Sequence, residues 1–212
     1  MTISLTNTGK RFNRDWIFRH LNYRFVSGTS YAITGSNGSG KSTLLQVIAG
    51  AISPNQGKVE YYPAGTQEAK AASPENIFQY ISIAAPYLEL IEEMTLEEFL
   101  QFHSRFKPFL PSLSIQKIIS TAGLSGAASK QIRYFSSGMK QRVKLAQSFF
   151  SDTPVLLLDE PCTNLDADGF ALYQELVAEY CNGRLVIISS NDPAEYSFCG
   201  EVIRMADYKE KA

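Results

Sequence analysis

The sequence predicts an α/β protein in which helices cover both faces of a parallel sheet. Two segments late in the chain, 155–158 and Leu185–Ser189, are apolar at almost every position, which is typical of strands buried on both sides. A helical pattern around 170–180 separates them and ends at Asn182-Gly183, as expected for a crossover helix between parallel strands. The first sixty residues contain short alternations of apolar and polar residues, which predict a small antiparallel layer.

The composition is that of an ordinary globular chain. Its 212 residues are 44% hydrophobic and 19% charged, so the chain can bury a core and disorder is excluded as its main state. Twenty basic and 21 acidic residues give a formal charge of −1, which does not favour nucleic-acid binding. No stretch approaches the roughly 18 consecutive apolar residues of a membrane span, and we expect no signal peptide.

Cysteine and histidine usage narrows the chemistry. Cys162, Cys181 and Cys199 form no CxxC pair, so they indicate neither a disulfide framework nor a zinc site and fit a reducing cytoplasm. Catalysis based on histidine would have to use His20 or His103, which are the two histidines of the chain. We therefore expect a different chemistry.

The remaining elements follow from local patterns. The antiparallel layer is predicted from the alternations at 3–5 and 21–25 and from the β-prone run at 58–62. Other predicted elements are a strand at 31–34, helices at 42–49, 96–106, 115–122 and 137–150, and a strand at 202–204. Thr95 and Glu98 form a capping box before the second helix. We expect one domain, 1–212, with its core at 1–85 and 138–212 and a helical insertion at about 86–137.

A glycine-rich segment after the strand at 31–34 fits the pattern GxxxxGK[ST]. It reads Gly35-Ser36-Asn37-Gly38-Ser39-Gly40-Lys41-Ser42. The glycines let the backbone wrap around a polyphosphate with successive N–H groups pointing inward, and the following helix adds positive potential. Lys41 would reach the outer phosphates, and Ser42 would offer its hydroxyl to Mg²⁺. With the parallel strands, this segment predicts a P-loop NTPase core.

Two carboxylates, Asp159 and Glu160, follow the buried strand at 155–158. Acidic residues at strand ends often do no more than reach solvent. Here, however, a parallel sheet would bring them beside the P-loop. One carboxylate can hold Mg²⁺ while the next orients water. We expect Asp159 in the metal role and Glu160 in the catalytic role.

A third motif spans 134–142 and reads Tyr-Phe-Ser-Ser-Gly-Met-Lys-Gln-Arg, a loop that opens a helix. Its Ser136 lies 23 residues before Asp159, and Asn164-Leu165-Asp166 follows the acidic pair. The ordered set of P-loop, Ser-x-Gly loop, acidic pair and Asn-Leu-Asp resembles the ATP-binding subunit of ABC transporters over essentially the whole chain. Phe135, Ser137 and Met139 replace the usual Leu, Gly and Gln of that family's signature.

The resemblance implies a head-to-tail pair of nucleotide-binding subunits that closes on two ATP molecules. ATP on one P-loop would be covered by the signature loop, Ser136, Ser137 and Gly138, of the other subunit. Asp166 would lie in the loop at the dimer interface, although an N-cap of the following helix is an alternative role. The implied ligands and partners are ATP with Mg²⁺, a second nucleotide-binding subunit and an integral membrane permease, but no nucleic acid.

Individual site residues are also implied by the resemblance. The ATP-binding set is Phe12, Gly35, Ser36, Asn37, Gly38, Ser39, Gly40, Lys41, Ser42 and Thr43. Catalysis would use Glu160, Lys41 and Asn191, and the metal would be held by Ser42 and Asp159. Phe12 lies 29 positions before Lys41 and matches the aromatic that stacks on adenine. Trp16 is a neighbouring candidate for that role, and Phe12 as a core residue stays open.

Two positions depart from the family pattern. Pro86 stands where a glutamine that senses Mg²⁺ and water is expected, and the nearest upstream glutamine is Gln79. Asn191 stands where the switch histidine is expected. An asparagine amide can donate a hydrogen bond to a γ-phosphate, but it cannot become cationic or relay a proton.

These features lead to an expected function and one main alternative. We expect a cytoplasmic ATPase subunit, peripheral on the inner face of the cell membrane, that drives a separate permease through the region 86–94. Alternatively, Pro86 and Asn191 reduce hydrolysis, and the chain is an ATP-sensing subunit that pairs with a competent homologue. A soluble ATPase of this type acting on ribosomes or DNA would be expected to have tandem domains or a basic surface, which this sequence lacks.

Overall fold

The computed structural model describes residues 1–63, 72 and 74–209. The predicted core segments 1–85 and 138–212 also include residues 64–71, 73 and 210–212, which lie outside the described residues. The strands are β1 (Thr2–Phe12), β2 (Asp15–Val26), β3 (Ser30–Thr34), β4 (Gln56–Tyr62), β5 (Ile81–Ala84), β6 (Val155–Asp159), β7 (Leu185–Ser189) and β8 (Glu201–Arg204). The helices are α1 (Lys41–Ile48), α2 (Leu96–Phe106), α3 (Ile115–Thr121), α4 (Ser137–Phe149), α5 (Ala167–Tyr180) and α6 (Pro193–Tyr196).

An antiparallel sheet near the N-terminus confirms the predicted layer. Its order is β2-β1-β4, and β1 pairs antiparallel with both neighbours. Ile3 and Leu5 on β1, with Leu21 and Phe25 on β2, are buried, so the apolar positions of the alternation face the core. The two long strands extend well beyond the predicted segments because their ends are half exposed and their pairing is interrupted by register shifts, which weakens the alternation.

A five-stranded parallel sheet forms the centre of the fold, in the order β5-β6-β7-β3-β8. Every residue of β6 and β7 is buried. Leu157 and Ile187 pack with α1 and the antiparallel sheet, whereas Leu156, Leu158 and Ile188 pack with α4 and α5. Both faces are therefore covered, as the continuous apolar strands predict.

Polar side chains cap the N-termini of several helices. Thr95 and Glu98 form the predicted capping box of α2, and the side chains of Ser136 and Asp166 cap α4 and α5. The short α6 was not predicted, although Asp192 at its N-cap and Pro193 in its first turn are typical start signals. No helix within the described ranges is long and apolar enough to cross a membrane.

Candidate nucleotide site

The P-loop connects β3 to α1 at the carboxyl edge of the parallel sheet. Gly35, Gly38 and Gly40 have φ angles of 150°, 74° and 101°, a region that L side chains rarely adopt. A Cβ on Gly40 would lie 2.4 Å from Cγ2 of Ile17, so this glycine is required by both conformation and space. The loop and Ile17 line a cavity of about 170 Å³ that also includes Lys41, Ser42 and Thr43.

Lys41 links the P-loop to the end of β6. Its side chain is almost fully buried, and Nζ donates a hydrogen bond to the carbonyl of Gly35 at 3.0 Å. The same Nζ lies 3.4 Å from Oε1 of Glu160. The P-loop and the acidic pair, predicted from separate motifs, are therefore together. A phosphate bound in the loop would compete with Glu160 for the ammonium group.

Asp159 provides a buried oxygen that is suited to a cation. The residue is 1% exposed, and its Oδ1 has no hydrogen-bond partner among the described residues. Ser189 on β7 lies opposite Asp159 on β6, and the hydroxyl of Ser189 also has no hydrogen-bond partner among the described residues. A buried unpaired carboxylate is costly, and oxygen ligands are the ones that Mg²⁺ prefers. The donor set therefore fits Mg²⁺ held by Asp159, the Ser42 hydroxyl and nucleotide phosphates.

Glu160 is held in a constrained conformation directly after β6. Its φ angle is 44°, which is uncommon outside glycine and is often found at functional sites. Its N–H donates to the carbonyl of Ser189 at 2.8 Å. The carboxylate is about one third exposed, so it lies between the buried Asp159 and solvent, where a water molecule could reach it.

The loop after β7 contacts the P-loop through two asparagines. Nδ2 of Asn191 donates to Oδ1 of Asn37 at 2.6 Å, and the N–H of Ser190 donates to the carbonyl of Ile33 at 3.2 Å. Because β7 and β3 are neighbours in the sheet, the chain places Asn191 at the mouth of the P-loop, as expected from its position in the sequence.

The aromatic candidates for adenine lie at the tip of the β1–β2 hairpin. Phe12 is 51% exposed, which argues against its being a core residue, and Nζ of Lys10 lies 5.3 Å from its ring centre. The Trp16 ring contacts the guanidinium groups of Arg11 and Arg19 at 5.4 Å and 4.3 Å. Ile17, which follows Trp16 on β2, lines the P-loop cavity as its apolar wall, and sequence reasoning missed this residue.

Pro86 lies in a turn that follows β5. The N–H of Leu88 donates to the carbonyl of Ala85 at 3.2 Å, so the turn places Pro86 at its second position, which favours proline. Tyr87 comes next. Burial, with a smaller contribution from Asp159, raises the pKa of Tyr87 to about 12. Tyr87 follows the carboxyl end of β5, the sheet edge that also carries the P-loop, and sequence reasoning missed it.

Gln79 does not replace the missing glutamine. It ends a short 3₁₀ turn just before β5 begins at Ile81. The P-loop follows the carboxyl end of β3 and Asp159 ends β6, whereas Gln79 precedes the amino end of β5. The length of β5 therefore separates Gln79 from the site.

The signature loop lies in a different cavity. Oγ of Ser136 accepts a hydrogen bond from the N–H of Met139 at 3.2 Å, and Ser137 and Gly138 form the first turn of α4. With Asp166, they line a cavity of about 540 Å³ that shares no residue with the P-loop cavity. One chain therefore does not bring its own signature loop to its own P-loop.

Asp166 has the structural role that the sequence left open. Its Oδ1 accepts hydrogen bonds from the N–H of Gly169 at 2.8 Å and from Nη2 of Arg142 at 2.8 Å. These contacts lower the pKa of the Asp166 carboxyl, with the Gly169 N–H as the largest cause. Asp166 is thus an N-cap and also ties α5 to α4 beside the signature loop. Arg142 ends the motif at 134–142, but no role was predicted for it.

The fold and the site define a P-loop nucleoside-triphosphate-binding domain, since a glycine loop, an inward lysine and a buried carboxylate converge at one edge of a parallel sheet. A family model described as ABC transporter matches residues 18–163, and the chain belongs to this family. It is an ABC transporter ATP-binding subunit, as its motifs predict.

Relatives of known sequence agree with this assignment, and solved structures share the fold. The chain is 31% identical over 206 residues to "Uncharacterized ABC transporter ATP-binding protein YybJ" of Bacillus subtilis, which covers 96% of this chain and 92% of that protein. It is 30% identical over 197 residues to "Cytochrome c biogenesis ATP-binding export protein CcmA" of Agrobacterium fabrum, covering 91% and 90%. A putative ABC transporter ATP-binding protein from Pyrococcus furiosus has the same fold, with a TM-score of 0.80, 18% identity and coverage of 99% and 100%. A dimeric bacterial ABC transporter cassette gives a TM-score of 0.77 at 23% identity, covering 95% and 93%.

Proposed function

We propose that this subunit hydrolyses Mg²⁺-ATP between two nucleotide-binding subunits and thereby drives a membrane permease. The observation that carries the proposal is the approach of Lys41 to Glu160 beside the unpartnered Oδ1 of Asp159. A phosphate-binding cation, a candidate metal ligand and a candidate water-orienting carboxylate are thus gathered at one sheet edge. Phosphoryl transfer depends mainly on such positioning and charge stabilisation.

Each side chain then has a distinct role. Lys41 and the backbone N–H groups of the P-loop bind phosphate oxygens, while Ser42 and Asp159 hold Mg²⁺, which supplies charge neutralisation when bound. Glu160 orients the attacking water once ATP has replaced it on Lys41. Asn191 leaves Asn37 and donates to the γ-phosphate.

The second half of the site comes from another subunit. The signature loop, Ser136, Ser137 and Gly138, offers a hydroxyl and the backbone N–H groups of a helix start, which favour an anion. Because this loop is apart from the P-loop within one chain, it is suited to cover ATP on a partner. Asp166 lies in the same cavity and would contact the partner there.

We propose that the permease docks beside the turn at Pro86, which would place this subunit in the cytoplasm at the inner membrane face. A groove of about 470 Å³ follows that turn. Its lining includes three glutamates and two lysines, and Nζ of Lys144 donates to the carbonyl of Pro86 at 2.9 Å. The excess of carboxylates favours a permease loop that carries basic side chains.

A weakly hydrolytic, ATP-sensing subunit is the second candidate function. It is favoured by Pro86 and Asn191, because neither can supply the groups expected at those positions. Loss of one positioned donor typically costs about 10²- to 10³-fold in rate, so two losses would leave a slow switch. In that case a homologous subunit with a complete site would carry the turnover.

Mg²⁺-ATP turnover over a series of protein concentrations tests the proposal, with Glu160→Gln as the control. We expect turnover per chain to rise with concentration as dimers form and to fall at least about 10²-fold in the control. Tight ATP binding with turnover no higher than the control would instead establish the ATP-sensing subunit. Absence of ATP binding in the unmodified chain would overturn both functions.

A further inference from the structure

Glu160 is held in its unusual backbone conformation by hydrogen bonds on both of its sides. Its φ angle is 44°, and such a conformation persists in a non-glycine residue only where the surrounding structure fixes it. On the amino side, the N–H of Glu160 donates to the carbonyl of Ser189 at 2.8 Å. On the carboxyl side, the next two residues, Pro161 and Cys162, each bond to a buried side chain of a different helix.

The first of these side chains is Gln141 on α4. Its Nε2 donates a hydrogen bond to the carbonyl of Pro161 at 2.7 Å, and because the residue is buried, water does not compete for either group. Gln141 lies five residues after Ser136, the N-cap of α4. The helix that begins at the signature loop therefore also holds the residue that follows Glu160.

The second side chain is Glu195 on α6. Its Oε1 accepts a hydrogen bond from the N–H of Cys162 at 3.1 Å. Its own carbonyl accepts from the Tyr173 hydroxyl at 2.6 Å, which fixes α6 against α5. Glu195 lies four residues after Asn191. The loop that carries Asn191 and the loop that follows Glu160 are thus joined through this carboxylate.

Stability alone does not account for a carboxyl group at position 195. The side chain is buried, and its second oxygen, Oε2, has no hydrogen-bond partner among the described residues. Burial is the largest cause that raises the pKa of the Glu195 carboxyl. A buried polar atom without a partner lowers the stability of the fold, and its presence in a native protein calls for a further reason.

Resting on the proposed function, we propose that Gln141 and Glu195 are positioning residues that hold the Glu160 carboxylate where it orients the attacking water. Gln141 fixes the carbonyl of the residue after Glu160, and Glu195 fixes the N–H of the residue after that. Neither side chain lines the P-loop cavity or the signature cavity. Both therefore act on the reaction only through Glu160.

The test measures kcat with Mg²⁺-ATP at a protein concentration where turnover per chain no longer rises. Glu195→Met and Gln141→Met keep the length of the side chain and remove its hydrogen-bonding groups. Since a displacement of about 1 Å can cost about 10²-fold in rate, we expect kcat to fall about 10- to 100-fold in each. Glu195→Gln keeps an oxygen for the Cys162 N–H and should retain kcat within about threefold. The two methionine variants change different helices, so either one tests the proposal if the other does not fold.

The methionine substitutions are also made in the Glu160→Gln chain. Because both residues act through Glu160, they should change its residual turnover and its Kd for Mg²⁺-ATP by less than about twofold. A residue that only supports the fold would lower the residual turnover as much as it lowers that of the parent. That result would overturn the inference. An unchanged kcat in the methionine variants, or an equal loss in Glu195→Gln, would also overturn it.

Ser148→Ala is the matched control for the loss of a buried hydrogen bond. Ser148 is buried on α4, the helix of Gln141, and its hydroxyl donates to the carbonyl of Leu145 at 3.0 Å. This bond stays within α4, so kcat should be unchanged. A loss of kcat as large as in Gln141→Met would overturn the inference. If the parent chain turned over ATP no faster than Glu160→Gln, the proposed function would fail first, and the inference would fail with it.

Discussion

At the residue scale, the P-loop requires glycine at position 40, where the side chain is only a hydrogen atom. Its φ angle is 101°, and a Cβ at this position would lie only 2.4 Å from Cγ2 of Ile17, so no side chain fits without movement of the loop. The glycine pattern alone indicates a phosphate loop, but the contact with Ile17 comes from β2, which is distant in the sequence. Only the packed structure connects the two.

Gly40→Ala should therefore destabilise the fold and weaken ATP binding together. We expect a loss of about 2 kcal/mol or more in the free energy of unfolding, from strained φ plus the clash, measured by urea denaturation. Gly28→Ala is the control, since Gly28 has a φ angle of 80° but nothing within 4 Å of its Cβ position. It should cost only the conformational part, about 1 kcal/mol. Equal losses in the two variants would contradict the role given to Ile17.

His103 offers a second prediction at this scale. Its ring stacks between Phe99 and Phe109, and Nε2 lies 3.1 Å from Oγ of Ser151. Burial, and then the charge of Lys107, lowers the pKa of His103 to about 4. An unfolded histidine has a pKa of about 6.5. As the pH falls from about 6.5 toward 4, the unfolded chain binds the proton first, so the folded state loses stability across that window.

Comparison of the parent chain with His103→Gln at pH 7 and pH 5 isolates this effect, because titration of the carboxylates is common to both chains. We expect the parent to lose at most about 2 kcal/mol more than the variant over this interval, as measured by urea unfolding. The same pH dependence in both chains would mean that His103 titrates normally in the folded protein.

At the element scale, local signals predict some boundaries well and others poorly. β6 and β7 match their predicted segments to within one residue because all their positions are apolar, and α2 begins where its capping box requires. β5 has no clear local signal, since four residues ending at Ala84 carry little periodicity. The predicted β1 and β2 are too short because their pairing, which extends them to Phe12 and Asp15, depends on hydrogen bonds between strands.

Removal of the N-cap of α2 tests how much the capping box stabilises the first helix of the insertion. The Thr95 hydroxyl accepts a hydrogen bond from the N–H of Glu98 at 3.3 Å, and the N–H of Thr95 donates to Oε2 of Glu98 at 2.8 Å. Thr95→Ala should lower the free energy of unfolding by about 1 kcal/mol, measured by denaturant titration. Ser120→Ala, at an exposed position in the last turn of α3, should change it by less than about 0.5 kcal/mol. Equal effects would show that the capping box contributes no specific stabilisation.

At the scale of the whole molecule, the two cavities raise the central question of how a complete site forms. The P-loop cavity and the signature cavity are lined by different elements and share no residues. In the head-to-tail dimer proposed above, each chain would supply one half of two sites.

Mixing two inactive variants tests that arrangement directly. Lys41→Ala removes the phosphate-binding cation, and Gly138→Asp blocks the signature loop, where even a Cβ would lie 3.0 Å from the carbonyl of Asn164. Each variant alone should lack turnover. In the mixture, heterodimers pair the intact P-loop of one chain with the intact signature loop of the other, so we expect up to about one quarter of the parent activity. Turnover by the mixture no higher than that of either variant, with both shown to be folded by thermal denaturation, would contradict composite sites.

The sequence by itself determined the nucleotide chemistry of this protein. The glycine loop, the acidic pair and the signature segment each consist of adjacent residues, and the order of the three motifs along the chain is specific. It also determined the parallel sheet, because strands buried on both faces need apolar residues at nearly every position. Only the tertiary structure decided that Ile17 walls the P-loop and that Lys41 contacts Glu160. These contacts join residues on different strands and helices, and their distances are set by packing of the sheet and its helices, which no local pattern encodes.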